Sequence, residues 1–155
     1  MNDITIEPYK DFINELDLTG IIPERLEICI TVMQRVHDNN YKFGMRYWQD
    51  LDTAVGAKST EAELKDCGTP ACFGGWLAVS PEFIALGGLC IKDGSPVFHC
   101  GTENRAISNF LFCNGNDQLG YELTDGGSGL YDDVKPSNIT AAHVLERLEY
   151  IKEVT

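Results

Sequence analysis

Two cysteines, Cys67 and Cys72, are spaced as a pair of zinc ligands could be. A structural zinc site needs four ligands, and the remaining candidates are Cys90, His99, Cys100 and Cys113. Because His99 and Cys100 are adjacent on a predicted strand, their side chains would point to opposite faces. The pattern therefore favours free thiols with no metal at Cys67 and Cys72, and a small zinc-binding module remains the alternative.

A nucleophilic cysteine is a second chemistry that these residues suggest. Cys72 lies in the first turn of a predicted helix, where the helix dipole and free N–H groups lower the pKa of a thiol. A general base would have to be one of the three histidines, His37, His99 and His143. No spacing brings any of them to Cys72, so a cysteine-centred enzyme is also kept only as an alternative.

Other cofactor and ligand sites have weaker sequence support. Asn114, Asn116, Asp117 and the stretch 125–133 supply oxygen ligands for calcium, but their spacing does not match an EF-hand loop. The chain has no phosphate-binding loop, no dinucleotide fingerprint and no basic patch with aromatic residues. We therefore expect no cofactor, no catalytic residues and no direct binding to nucleic acid.

The charge of the chain points to a cationic partner. Twenty-four acidic residues against 12 basic ones give a net charge of −12, which repels nucleic acids and anionic membranes. No basic residue occurs between Arg105 and Lys135. We call residues 114–133 the acidic segment, and the predicted partner-binding carboxylates are Asp117, Glu122, Asp125, Asp132 and Asp133. The alternative is that this charge only keeps the protein in solution.

Length and composition predict one globular domain spanning residues 1–155. A chain of this length with 43% hydrophobic residues can bury a core without disulfides or metal. Its longest apolar runs are far shorter than the ~20 residues of a membrane helix, and the N-terminus lacks the pattern of a secretory signal. We therefore expect a cytoplasmic protein with reduced cysteines.

Apolar periodicity and capping residues predict a predominantly helical α+β fold with about five to six helices. The helical signals lie over Pro8–Leu16, from Pro23 to about His37, from Pro70, from Pro81 to Gly87, after Thr102, and from Thr140, and a short capped turn is predicted over Glu61–Lys65. A β-hairpin is predicted from Leu89–Lys92 and Pro96–His99, and the alternation of Tyr41–Trp48 predicts a strand or an extended segment that packs on the helices. The stretch 114–129 is predicted to be a mobile loop because it is polar and rich in glycine.

The segment around the first two cysteines has strong local signals. Thr69 suits the N-cap of a helix, and Pro70 suits its first position. Within that helix Cys72, Trp76 and Val79 would share one face, so we expect Trp76 to be buried.

This segment resembles a family of small, mostly uncharacterised proteins of bacteria and their phages. The shared signature is Cys67, Gly68, Thr69, Cys72, Gly75 and Trp76, with weaker matches at Phe43, Met45 and Trp48 and in a helix beginning at Thr140. The resemblance implies a phage or mobile-element origin and a cytoplasmic helical domain, and it supplies no activity. Together with the charge, it suggests a non-catalytic accessory protein that inhibits a host defence protein. The carboxylates would occupy a basic groove of a nucleic-acid-handling partner as phosphates do.

Overall fold

A computed structural model describes residues 8–45, 49, 58, 60–67, 70–90, 95–98, 103–112, 119, 122–123 and 129–155, without the side chains of 67, 103 and 104. Seven α-helices lie in these ranges: α1 Pro8–Glu15, α2 Pro23–Asp38, α3 Glu61–Cys67, α4 Phe73–Val79, α5 Pro81–Ala85, α6 Glu103–Leu111 and α7 Ala141–Val154. Two short 3₁₀ turns, Gly129–Tyr131 and Pro136–Asn138, precede α7. The predominantly helical α+β class is confirmed.

The two longest helices, α2 and α7, pack against each other. The stripe predicted on α2 is buried, with Cys29, Met33 and Val36 fully inaccessible to solvent. On α7, Val144 and Leu148 are equally buried and meet this stripe in one core cluster. Helix α1 also packs against α7. These three helices contribute to one core cluster, because each has its apolar residues on one face.

Helix α4 is buried on every side and contacts α2, α3, α5 and both strands. All seven of its residues are buried, as expected from a helix that contains no charged residue. The side chain of Trp76 is fully inaccessible and stacks on the Tyr41 ring, with the ring centroids 5.0 Å apart. Its indole N–H donates to the backbone carbonyl of Lys42 at 3.0 Å. The prediction that Trp76 is a core residue is therefore confirmed.

The predicted start of α4 is wrong by three residues. The helix begins at Phe73 with Cys72 as its N-cap, not at Pro70 with Thr69 as its N-cap. Ala71 instead forms an isolated parallel bridge with Phe43. Its N–H donates to the carbonyl of Lys42 at 3.2 Å, and its own carbonyl accepts from the N–H of Gly44 at 3.1 Å. These bonds hold Ala71 in an extended conformation, so it cannot join the helix. The hydrogen bonds to a distant backbone segment thus override the local capping preference of Thr69.

The described part of Tyr41–Trp48 is not a regular strand, and of the two predicted alternatives it fits the segment that packs on the helices. Tyr41 and Lys42 have no regular structure, and Phe43 contributes only the single bridge to Ala71. Trp48 lies outside the described residues. The Tyr41 ring covers α4 by stacking on Trp76 rather than pairing in a sheet.

The predicted hairpin is confirmed as a two-stranded antiparallel sheet. Strand β1 (Leu89–Cys90) pairs with β2 (Pro96–Val97), with Leu89 opposite Val97. The glycines before β1 end α5 as predicted, because Gly87 has a φ of +98° and a Cβ at Gly88 would collide with the Phe83 ring. Predicted caps are also present, since Thr140 accepts from the N–H of His143 at the start of α7. Thr102, the predicted cap of α6, lies outside the described residues.

The glycine-rich stretch 114–129 supplies apolar residues to the core, which the prediction of a mobile loop did not anticipate. Leu119 and Leu123 are buried, and residues 122–123 are helical. The following 3₁₀ turn buries Leu130 and Tyr131 as well. The described positions of this stretch are therefore part of the fold, because burying leucine side chains stabilises the folded state even within a polar sequence.

We predict that Trp76→Ala lowers the free energy of unfolding by about 3–5 kcal/mol, because it removes a fully buried aromatic ring and leaves a cavity. Chemical denaturation followed by circular dichroism measures this change. Trp76→Phe is the matched control and should cost less, because it keeps a ring against Tyr41 and loses the indole hydrogen bond and a smaller buried volume. Equal stability of the alanine variant and the unaltered protein would contradict the core assignment.

Candidate functional site

Cys72 lies in an environment opposite to that of an activated thiol. Its side chain is 2% exposed at the N-cap of α4. Burial raises the pKa of the Cys72 thiol to about 11, even though the backbone N–H groups of Gly74 and Gly75 act in the other direction. The loss of hydration on burial raises the pKa of the thiol by more than the N–H groups at the helix terminus lower it. The expectation that the helix start lowers the pKa of this thiol is therefore wrong.

The histidines that the structure describes do not form a pair with Cys72. His37 is exposed in the last turn of α2. His143 is engaged at the start of α7, where its Nδ1 accepts from the backbone N–H of Thr140 at 3.0 Å. His99 lies outside the described residues. No Cys–His couple is thus formed by Cys72 with His37 or His143.

The described residues hold no group of three or more His, Cys, Asp or Glu side chains that could bind a metal. Cys29, Cys72 and Cys90 are free thiols. The half-buried Cys90 thiol donates to the carbonyl of Lys58 at 3.4 Å, which ties β1 to the preceding chain. The side chain of Cys67 and the residues His99, Cys100 and Cys113 lie outside the described part, as do the calcium candidates Asn114, Asn116 and Asp117.

The acidic segment is anchored at its C-terminal end. Asp132 and Asp133 follow the 3₁₀ turn Gly129–Tyr131 directly, and both are exposed. Glu122 is half-buried in a helical turn. Asp117 and Asp125 lie outside the described residues. Of the five predicted partner-binding carboxylates, the structure thus shows Asp132 and Asp133 side by side on the surface.

Arg147 fixes this end of the acidic segment from the inside. Its side chain is 1% exposed, yet its guanidinium lies 2.9 Å from the Asp133 carboxylate. The other N–H groups donate to Glu146 at 3.0 Å and to the backbone carbonyls of Leu130 and His143. A buried guanidinium needs this many partners, because an unpaired charge inside a protein is costly.

Two tyrosine rings enclose the same guanidinium. The central carbon of Arg147 lies 4.2 Å from the ring centroid of Tyr9 on α1 and 5.3 Å from that of Tyr131. Cations are attracted to the faces of aromatic rings, most strongly where water is excluded. Burial also raises the pKa of the Tyr131 phenol, which keeps this side chain neutral beside the arginine. Arg147 therefore joins α1, the 3₁₀ turn and α7.

Sequence reasoning missed Arg147, although a signal was present. The residue lies three positions after Val144 and four before Ile151, which places it on the buried stripe of α7. An arginine at such a position needs a carboxylate partner. The treatment of all five carboxylates as equivalent surface charges is accordingly corrected for Asp133, which pairs with a buried cation.

Comparison with known proteins found no match for the chain among protein-family models, curated proteins or solved structures. The resemblance carried by the segment from Cys67 to Trp76 therefore stays a prediction. Within the described residues, no helix is both long and apolar enough to cross a bilayer.

We predict that Cys72 in the folded protein resists alkylation by iodoacetamide at pH 8. A buried thiol with a pKa of about 11 is present as thiolate at only about one part in a thousand at that pH, and the reagent cannot reach it. Peptide mapping by mass spectrometry measures the labelled fraction in native and urea-unfolded samples. The half-buried Cys90 is the internal comparison and should react faster than Cys72. Rapid native labelling of Cys72 would contradict its assignment as a buried thiol.

We predict that Asp133→Asn lowers the free energy of unfolding by about 1–2 kcal/mol, because it removes one charged partner of the buried Arg147. Asp132→Asn is the matched control, since Asp132 is the exposed neighbour, and should change stability by less than about 0.5 kcal/mol. Thermal and urea unfolding of both variants test the difference. Equal stability of the two variants would show that Asp133 has no structural role.

Proposed function

We propose that the protein is a non-catalytic binding protein whose acidic segment docks on a basic surface of another protein. The observation that carries this proposal is the net charge of −12 together with the absence of any basic residue between Arg105 and Lys135. Such a charge distribution accelerates encounters with cationic surfaces and repels anionic ones. The partner is thus expected to be a protein rather than a nucleic acid or a membrane.

The geometry around Asp132 and Asp133 supports a structural role for Asp133 and a binding role for Asp132. Asp133 is held by Arg147, whereas Asp132 is exposed and has no ion pair with the described residues. A carboxylate on an anchored turn loses less conformational entropy on binding than one on a free chain. Asp132 is therefore the described carboxylate best placed to meet a cation of the partner.

The proposed biological role is inhibition of a host defence protein by a phage or mobile-element accessory protein in the host cytoplasm. A nucleic-acid-handling protein presents a groove of lysines and arginines that binds phosphates. Carboxylates of the acidic segment would occupy that groove and exclude the nucleic acid. The support for this role is the charge and the resemblance described above, and the mechanism needs neither metal nor cofactor.

Binding of a host partner tests the proposal directly. The immobilised protein is used to capture proteins from bacterial lysate, beside the triple variant Asp117→Asn, Asp125→Asn and Asp132→Asn. Glu122 and Asp133 are left unchanged because their side chains also serve the fold. The matched control, Glu15→Gln, Glu24→Gln and Asp66→Asn, removes equal charge from exposed positions elsewhere.

We expect a specific captured protein that is basic, is released by salt, and is lost from the triple variant but kept by the control. Salt dependence follows because surface attraction is screened over about 8 Å at physiological ionic strength. Purified partner should also lose its nucleic-acid binding when the protein is added. Equal capture by all three proteins at every salt concentration would show that the charge of the acidic segment only favours solubility.

The alternative function, a zinc module or enzyme centred on Cys67 and Cys72, is weakened by the burial of Cys72 and its raised pKa. Zinc analysis of the dialysed protein distinguishes it. Stoichiometric zinc that disappears in Cys67→Ser would favour the alternative and count against a purely acidic binding protein.

A further inference from the structure

A groove runs across the solvent-facing side of α7, between α1 and α2. It consists of two adjoining depressions, one of about 430 Å³ against α1 and one of about 420 Å³ against α2. Glu149 and Glu153 line both depressions and form the ridge between them. This groove is separate in sequence from the acidic segment, which ends at Asp133.

Apolar and aromatic side chains lie at the base of the groove, beneath polar ones. Leu145 and Tyr9 lie under the depression against α1, and Ile30 lies under the one against α2, each no more than 9% exposed. Tyr150 is half-buried in the depression against α1, where both its hydroxyl and its ring contact α1. Its hydroxyl donates to Asn14 at 2.9 Å, and its ring meets the edge of the Tyr9 ring with centroids 6.0 Å apart. The surface is therefore rigid enough to present a preformed shape.

The carboxylates of the ridge are available to a partner. Glu149 and Glu153 are exposed and form no ion pair with the described residues. Neighbouring acids differ, because Glu146 pairs with Arg147 at 3.0 Å and Glu27 pairs with Lys152 at 2.8 Å. Among the residues that the structure describes, the two ridge carboxylates alone combine an unpaired charge with contact to both depressions.

The floor already accommodates a cation from the protein itself. The ammonium of Lys10 lies 5.3 Å from the centroid of the Tyr150 ring. This contact shows that the Tyr150 ring in the depression against α1 accepts a lysine ammonium, an arrangement stabilised by the ring quadrupole. Aromatic floor and acidic ridge therefore favour the same class of ligand.

We propose that this groove binds a basic amphipathic segment of a partner protein, with apolar side chains in the two depressions and lysine or arginine side chains on Glu149 and Glu153. Charge complementarity identifies the occupant, since a second copy of this chain, a nucleic acid and an anionic membrane would all be repelled by the acidic ridge and the net charge of −12. The pattern matches the binding of an amphipathic helix in a groove. The inference rests on the proposed function only in its premise that the partner is cationic.

The test uses the full chain and a fluorescein-labelled amphipathic peptide of about 15 residues, a length at which helices become stable, made of lysine, leucine and alanine. Fluorescence anisotropy measures its dissociation constant. Glu149→Gln with Glu153→Gln should raise this constant about fivefold, the effect expected for two exposed ion pairs. Ala142→Trp, which fills the depression against α1 without changing charge, should weaken binding as well.

The matched control, Glu24→Gln with Asp66→Asn, removes the same charge from exposed positions outside the groove and should change the dissociation constant less than about twofold. Circular dichroism verifies that each variant is folded. The proposal is overturned if the unaltered protein does not bind the peptide, if the ridge variant and the control weaken binding equally, or if Ala142→Trp has no effect.

The triple variant of the acidic segment separates this inference from the proposed function. It should bind the peptide within about twofold of the unaltered protein, because its substitutions lie outside the groove. Loss of host capture with retained peptide binding supports both proposals. If the triple variant still captures the host protein and still binds the peptide, only the proposed role of the acidic segment is contradicted. If the triple variant no longer binds the peptide, the proposal that the groove is the peptide site is contradicted.

Discussion

The fold depends on enclosing α4, a helix without a single charged residue. Because all seven of its residues are buried, other elements must cover every side of it, and α2, α3, α5 and the hairpin do so. The carbonyl of Lys42 accepts both the indole N–H of Trp76 and the backbone N–H of Ala71. One backbone group thus joins the entry to α4 with its largest side chain, and the segment carrying Lys42 is held against the helix.

A second centre of the fold, where α1, the 3₁₀ turn Gly129–Tyr131 and α7 meet, is organised around a charge rather than an apolar helix. Arg147 satisfies its buried guanidinium with two carboxylates and two backbone carbonyls, and two tyrosine rings cover it. Such a centre contributes little net stability compared with an apolar replacement, but it specifies one arrangement of the elements around it. Here the specified arrangement places the end of the acidic segment on α7, so a surface proposed for binding is determined by an interior residue.

These two centres also bear on function. The thiols of Cys29 and Cys72 are part of the core, and burial raises the pKa of both, so neither of these two thiols is activated as a nucleophile. The carboxylates proposed for binding lie on anchored elements, at Asp132 after a 3₁₀ turn and at Glu149 and Glu153 on α7, which packs against α1 and α2. The proposed role therefore draws on charge displayed by a rigid scaffold, which favours fast and specific association over catalysis.

The sequence by itself determined the position of most helices, the cap of α7 and the pairing of the hairpin, because these depend on neighbours a few residues away. The stripe of α2, the cap at Thr140 and the stop at Gly87 all follow from such local preferences. The start of α4 and the path of Tyr41 and Lys42 were decided only by tertiary structure, since a carbonyl distant in sequence outcompetes the capping signal at Thr69. The candidate sites divide in the same way between sequence and tertiary structure. Charge and composition indicated a cationic partner. The pairing of Asp133 with Arg147 and the groove beside Glu149 depend on the packing of α1, α2 and α7. Electrostatic pairs and grooves join residues far apart in the chain, and no local pattern encodes their distance.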